Sequence, residues 1–151
     1  MEVILAEHLG FCYGVKRAVG IARENASPDG TSSTLGPIIH NPQMVERLKN
    51  EGVGTVSSLD EMAEGLVIIR SHGVGPKVYE EAASRGLELV DATCPHVKKA
   101  QLSAKLLSEE GYTVVIVGEK NHPEVKSIFE WTAHGARIIE TEEEAEALPK
   151  V

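Results

Sequence analysis

The chain has 151 residues, a net charge of −8, 42% hydrophobic and 25% charged residues. This balance fits one ordinary globular domain or two small ones and excludes a disordered chain, and no stretch approaches the roughly 20 apolar residues of a membrane span. The negative charge disfavours nucleic acid and anionic membranes as partners, so an anionic ligand needs a local cluster of donors to overcome the overall field.

Val3, Ile4 and Leu5 read as a strand directly after Met1, with neither a basic, apolar leader nor an Arg/Ser-rich one; the chain reads as cytoplasmic. Cys12 then opens a helix between Gly10 and Gly14, whose apolar face is Val15, Val19 and Ala22. A second helix starts after His40-Asn41-Pro42, carries Met44, Val45 and Leu48, and stops at Gly52. Leu66 to Ile69 form the continuous apolar run of a buried parallel strand. His72 lies just before Pro76 and a helix that Gly86 ends. Cys94-Pro95 begins a helix with Val97, Ala100, Ala104 and Leu107 on its apolar face, closed by Gly111. Val114 to Val117 repeat the strand signal, and His122-Pro123-Glu124 opens another helix. Glu142, Glu143, Glu144 and Glu146 read as a solvated helix start, and Leu148 to Val151 as a helix exit entering a new strand. Strands alternating with helices predict an α/β fold with parallel sheets and flanking helices, with a boundary at Cys94 dividing 1–93 from 94–151.

In open α/β sheets ligands bind outside the carboxyl ends of the strands. Three histidines, His40, His72 and His122, share that position, each near a proline-initiated helix N-terminus where N–H groups and the dipole favour anions. Converging, they would form an anion pocket; separately, each is an ordinary hydrogen-bonded loop residue. His8, His96 and His134 lack that position and are set aside. Glu124 in a first helical turn is either a dipole-favoured helix start or a general acid beside an anion site. The only two cysteines, Cys12 and Cys94, match no zinc spacing. A helix N-terminus favours the thiolate, which suits nucleophilic or metal work, but two thiols fall short of the four that usually hold an iron–sulfur cluster. In a reducing compartment no disulfide is expected between them.

Five strings together resemble the 4-hydroxy-3-methylbut-2-enyl diphosphate reductase (LytB) family: Gly10-Phe11-Cys12-Tyr13-Gly14-Val15 with Arg17-Ala18, Ile39-His40-Asn41, Ser71-His72-Gly73-Val74, Asp91-Ala92-Thr93-Cys94-Pro95 and His122-Pro123-Glu124-Val125. Their order and intervals, more than any one string, carry the resemblance, which covers the whole chain. It implies that Cys12 and Cys94 each ligate an iron of a 4Fe–4S cluster, that His40, His72 and His122 hold a diphosphate, and that Glu124 delivers protons. The implied reaction is reductive removal of a hydroxyl as water from the allylic diphosphate, yielding isopentenyl and dimethylallyl diphosphates, with electrons from ferredoxin or flavodoxin. The family's third cluster cysteine, its Gln-Thr-Thr segment and its Ser/Asn substrate loop are absent from these 151 residues. The chain therefore reads as the first lobe and a truncated second lobe of a three-lobed, pseudo-symmetric fold, the third lobe being absent, and as a piece of a longer chain. Two other functions compete: a cysteine hydrolase or transferase with Cys94 as nucleophile, and a non-catalytic diphosphate-binding module.

Overall fold

A computed structural model describes residues 2–7, 9–133 and 135–149. Met1, His8, His134 and the end of the expected final strand, Lys150 and Val151, lie outside the described residues.

The first sheet has four parallel strands: β1 (Ser32–Leu35), β2 (Gly54–Val56), β3 (Leu66–Ile69) and β4 (Glu88–Asp91), in the order β2-β1-β3-β4. Helix α1 (Tyr13–Glu24) precedes it, α2 (Pro42–Asn50) joins β1 to β2, a single 3-10 turn (Leu59–Glu61) follows β2, and α3 (Pro76–Ser84) joins β3 to β4. The register runs without slip, pairing Leu35 with both Val56 and Ile69, and Ile69 with Asp91. Helix α4 (Pro95–Glu109) leads to a second parallel sheet of only two strands, β5 (Val115–Val117) and β6 (Arg137–Ile139), joined by α5 (Pro123–Trp131) and followed by the short α6 (Glu142–Glu146).

β3 explains why the first sheet is covered on both sides. Val67, Ile68 and Ile69 are all fully buried, and alternation sends Ile68 into one core while Val67 and Ile69 enter another. The first core gathers Ala18, Val19 and Ala22 of α1 with Leu48 of α2, Ile38 and Ile39; the second gathers Leu59, Met62, Val74, Leu87 and Ala82 of α3. A parallel strand buried on both faces commonly runs apolar from end to end, and that run makes β3 readable.

The helices start where proline placed them. Pro42, Pro76, Pro95 and Pro123 each occupy the first turn. The Asn41 side chain caps α2 by accepting from Met44 N at 2.8 Å. Gly52, Gly86 and Gly111 follow α2, α3 and α4 with φ of 95°, 68° and 84°, the left-handed conformation that ends a helix.

Three expectations need correction. Val3, Ile4 and Leu5 form no strand and are 70%, 84% and 76% exposed. The edges of the first sheet are β2 and β4, and no described strand pairs with this segment. On α4, Leu107 is exposed and the buried stripe is Val97, Gln101 and Ala104. Val114 is buried ahead of the strand, so β5 begins at Val115. Among the described residues no helix is long and apolar enough to cross a membrane.

Candidate anion-binding site

The strand order reverses between β1 and β3: the chain leaves β1 for β2 on one side and returns to β3 on the other. Such a switch point opens a crevice at the carboxyl ends of the two strands. His40 follows β1 and His72 follows β3, so topology delivers both imidazoles to that crevice. His122 arrives from the second sheet's loop, at the start of α5.

The three rings meet. Their centroids lie 4.6 Å apart for His40 and His72 and 5.6 Å for each pair with His122, and their ligating nitrogens all fall within 4.8 Å of one another. His40 is exposed, while His72 and His122 are half-buried. Burial, reinforced by the fields of His40, Arg70 and His122, pushes the His72 pKa down to about 4. His72 is therefore neutral at pH 7, and its Nδ1 is buried without a hydrogen-bond partner.

Three nitrogens this close could hold a metal ion or an anion, and the His122 tautomer separates the two. Its Nδ1 accepts the Glu124 backbone N–H at 3.2 Å. An imidazole bonded this way keeps its proton on Nε2 and presents a donor, the form suited to an anion, whereas a metal needs a bare nitrogen.

Backbone ties hold the loops in place. Ser71 donates through both its N–H and its hydroxyl to the Ile38 carbonyl, at 3.3 and 2.9 Å, which locks the His72 loop to the His40 loop. The Ser71 carbonyl in turn accepts from Cys94 N at 2.9 Å. Asp91 anchors the Cys94 loop, accepting from Thr93 N at 2.9 Å, the Tyr79 hydroxyl at 2.9 Å and Lys98 Nζ at 3.1 Å. Burial alone would raise the pKa of this carboxyl, but these donors outweigh it and hold the group below its ordinary value.

Cys12 and Cys94 occupy the N-cap positions of α1 and α4, both free, the first exposed and the second half-buried. The Cys94 Sγ lies against Gly14 so closely that any side chain there would collide with it. Arg17 Nη1 donates to the Thr93 carbonyl at 3.1 Å, pulling the first turns of α1 onto the Cys94 loop. The two thiol-bearing segments thus converge and fit a shared soft metal or cluster, of which they would be two ligands. Neither thiol hydrogen-bonds an imidazole among the described residues, so a nucleophile–base pair on Cys94 lacks geometric support. The Glu124 carboxylate likewise has no hydrogen-bond or ion-pair partner among the described residues; Glu124 adjoins the histidines through the backbone bond to His122.

Ser71, Asp91, Arg17 and Gln101 are not singled out as functional by the sequence. Arg17, Ser71 and Asp91 do stand inside the strings that carry the resemblance, and Gln101 leaves a separate signal, as a polar residue on the stripe between Val97 and Ala104.

The chain matches the family model described as LytB protein over residues 3–151. It is 51% identical to the 4-hydroxy-3-methylbut-2-enyl diphosphate reductase of Geobacter sulfurreducens and 50% identical to that of Geobacter metallireducens, in each case over 100% of this chain and 54% of the relative. Among solved structures it is similar to an (E)-4-hydroxy-3-methyl-but-2-enyl diphosphate reductase, with a TM-score of 0.81 and 49% identity over 94% of this chain and 52% of that one. The Plasmodium falciparum E-1-hydroxy-2-methyl-but-2-enyl-4-diphosphate reductase superposes with a TM-score of 0.86 at 28% identity, over 94% of this chain and 45% of that one. The chain spans about half the length of the curated relatives it matches.

Proposed function

The chain belongs to the LytB protein family, and from that premise we propose that it forms the diphosphate-binding half of a 4-hydroxy-3-methylbut-2-enyl diphosphate reductase, an oxidoreductase of isoprenoid biosynthesis. The observation that carries this reading is the meeting of three imidazoles at the β1–β3 switch point, with a donor on His122.

In this reading His40, His72 and His122 bind the diphosphate oxygens, and the N-termini of α2 and α5 add their dipoles. His122 Nε2–H is held ready to donate. Glu124 hands a proton to the departing hydroxyl oxygen, which leaves as water; two electrons and two protons in all convert the C–O bond to C–H. Cys12 and Cys94 would hold two irons of a 4Fe–4S cluster, which when bound supplies electrons and an iron Lewis acid. A small reductant protein of the ferredoxin or flavodoxin type would load the electrons, in a reducing cytoplasm that keeps both cysteines out of disulfides. The division at Cys94, residues 1–93 and 94–151, is proposed as the lobe boundary, because every strand of the four-stranded sheet precedes it and both strands of the other follow it.

The test is calorimetric titration of the chain with inorganic pyrophosphate, compared with sulfate. Binding that prefers pyrophosphate and weakens roughly ten- to a hundredfold when any of the three histidines becomes Ala is expected. Absence of binding by the unaltered chain rejects the anion reading.

A further inference from the structure

The loop carrying His72 is held from behind by three side chains of α4 and α5. Ser127 on α5 is buried, and its Oγ lies 2.9 Å from the His72 carbonyl oxygen, 2.8 Å from the Glu124 carbonyl oxygen and 3.1 Å from Gln101 Nε2. Gln101 is fully buried, and its Nε2 also faces the Val74 carbonyl at 3.5 Å. That carbonyl accepts a second hydrogen bond from Trp131 Nε1 at 2.9 Å. Gly73 makes this possible: its φ is 71°, and a side chain there would strike Gln101 Nε2 and the Thr93 methyl.

The directions of these bonds follow from donor counting. The Gln101 amide turns its nitrogen to the Val74 carbonyl, because its own oxygen there would face another oxygen and be repelled; the same nitrogen donates to Ser127, and the amide oxygen is left buried without a partner. The single Ser127 proton then has two carbonyls to choose from. The Glu124 carbonyl is a helix acceptor three residues back, whereas no other donor reaches the His72 carbonyl among the described residues. Leaving that carbonyl unsatisfied beside a buried serine would be costly, so the proton belongs to His72.

We infer that Gln101, Ser127 and Trp131 are positioning residues for the anion pocket: a clamp from α4 and α5 that fixes the His72–Val74 backbone and so sets the His72 imidazole against His40 and His122. The inference rests on the reading of the three imidazoles as diphosphate donors. A role confined to packing would lower stability without acting through His72. A clamp acts through His72 specifically, and its effect disappears once that imidazole is gone.

The decisive experiment is a double-mutant cycle on the 151-residue chain, with pyrophosphate affinity measured for Ser127→Ala, His72→Ala and the pair, alongside imidazole nitrogen NMR spectra. Ser127→Ala is expected to weaken binding about tenfold in the parent and less than about twofold in the His72→Ala background. Equal weakening in both backgrounds overturns the clamp. Should the parent chain bind no pyrophosphate, the diphosphate reading falls and the NMR arm decides alone. Ser127→Ala must then displace the His72 ring resonances, and unmoved resonances overturn the inference. If Ser127→Ala does not fold, Trp131→Phe, which removes one donor to Val74 and keeps the aromatic packing, goes through the same cycle and spectra. Equal weakening in both backgrounds, or unmoved His72 resonances, overturns the clamp there too.

Discussion

His72 is where burial and charge pull hardest on a single side chain, and its protonation links the pocket to stability. With a folded pKa of about 4 against an ordinary 6.5, the unfolded chain binds a proton between those values that the folded chain does not. Stability from this group therefore rises with pH from about 4 to 6.5, levels off above, and is lost as pH falls through the window. Urea midpoints at pH 4.5 and 7.5 should show the drop, and His72→Gln should shrink it; an unchanged difference would place the acid sensitivity elsewhere. Replacing His40, His72 or His122 by Ala should each weaken pyrophosphate binding by roughly ten- to a hundredfold, the effect of one charge-assisted donor, measured by calorimetry. For Glu124→Gln the readout is catalytic. In a chimera joining this chain to the part of the Geobacter sulfurreducens relative it does not match, substrate affinity should stay within about twofold while turnover falls about a hundredfold or more. Near-normal turnover would return Glu124 to the role of a helix-start residue.

Among the elements, those with strong local chemistry are legible in the sequence and those defined by their neighbours are not. Proline at the first helical position marks the starts of α2, α3, α4 and α5, glycine past the last turn marks the ends of α2, α3 and α4, and the apolar run marks β3. β1 escapes such reading because it runs Ser32-Ser33-Thr34-Leu35, yet its polar residues are 1%, 8% and 2% exposed at the centre of the sheet. The Thr34 hydroxyl meets the Gly54 carbonyl and the Thr55 hydroxyl on β2, at 3.3 and 3.2 Å, partners that only the folded sheet supplies. β4, Glu88 to Asp91, is hidden in the same way by the acid at each end. The opposite holds at Val3–Leu5, where an apolar run joins no strand among the described residues. The histidine site is legible as a shared loop position, but its closeness depends on the β1–β3 reversal and on Ser71, which loop position alone does not reveal. Two stability measurements test the element picture. Asn41→Ala should cost about 1 kcal/mol by removing the α2 cap, and Ile68→Ala about 2–5 kcal/mol by opening a cavity beneath α1 and α2. Chemical denaturation reads both, and equal costs would mean that the sheet is less tightly packed than its burial indicates.

For the whole molecule, two thiols set the limit on cluster chemistry. Anaerobic reconstitution of this chain with iron and sulfide should leave it without a stable four-iron cluster, because Cys12 and Cys94 supply half of the usual four thiolates. Four irons per chain with the absorbance of a cluster would show that other groups complete the set. Apolar surface is exposed on Val3, Ile4 and Leu5, on Leu102 and Leu106 of α4, and on Val117 of β5, which is 78% exposed. Self-association at high concentration, seen by sedimentation, is the expected result. The unequal sheets also give the molecule two clocks. Amide protons of β3, sealed between two cores, should exchange with deuterated water only on global unfolding, whereas those of β5 and β6, in a two-stranded ribbon with both outer edges open, should exchange through small local openings many times faster. The three imidazoles straddle that divide, two on the slow sheet and one on the fast, so a ligand bridging them would slow the faster clock.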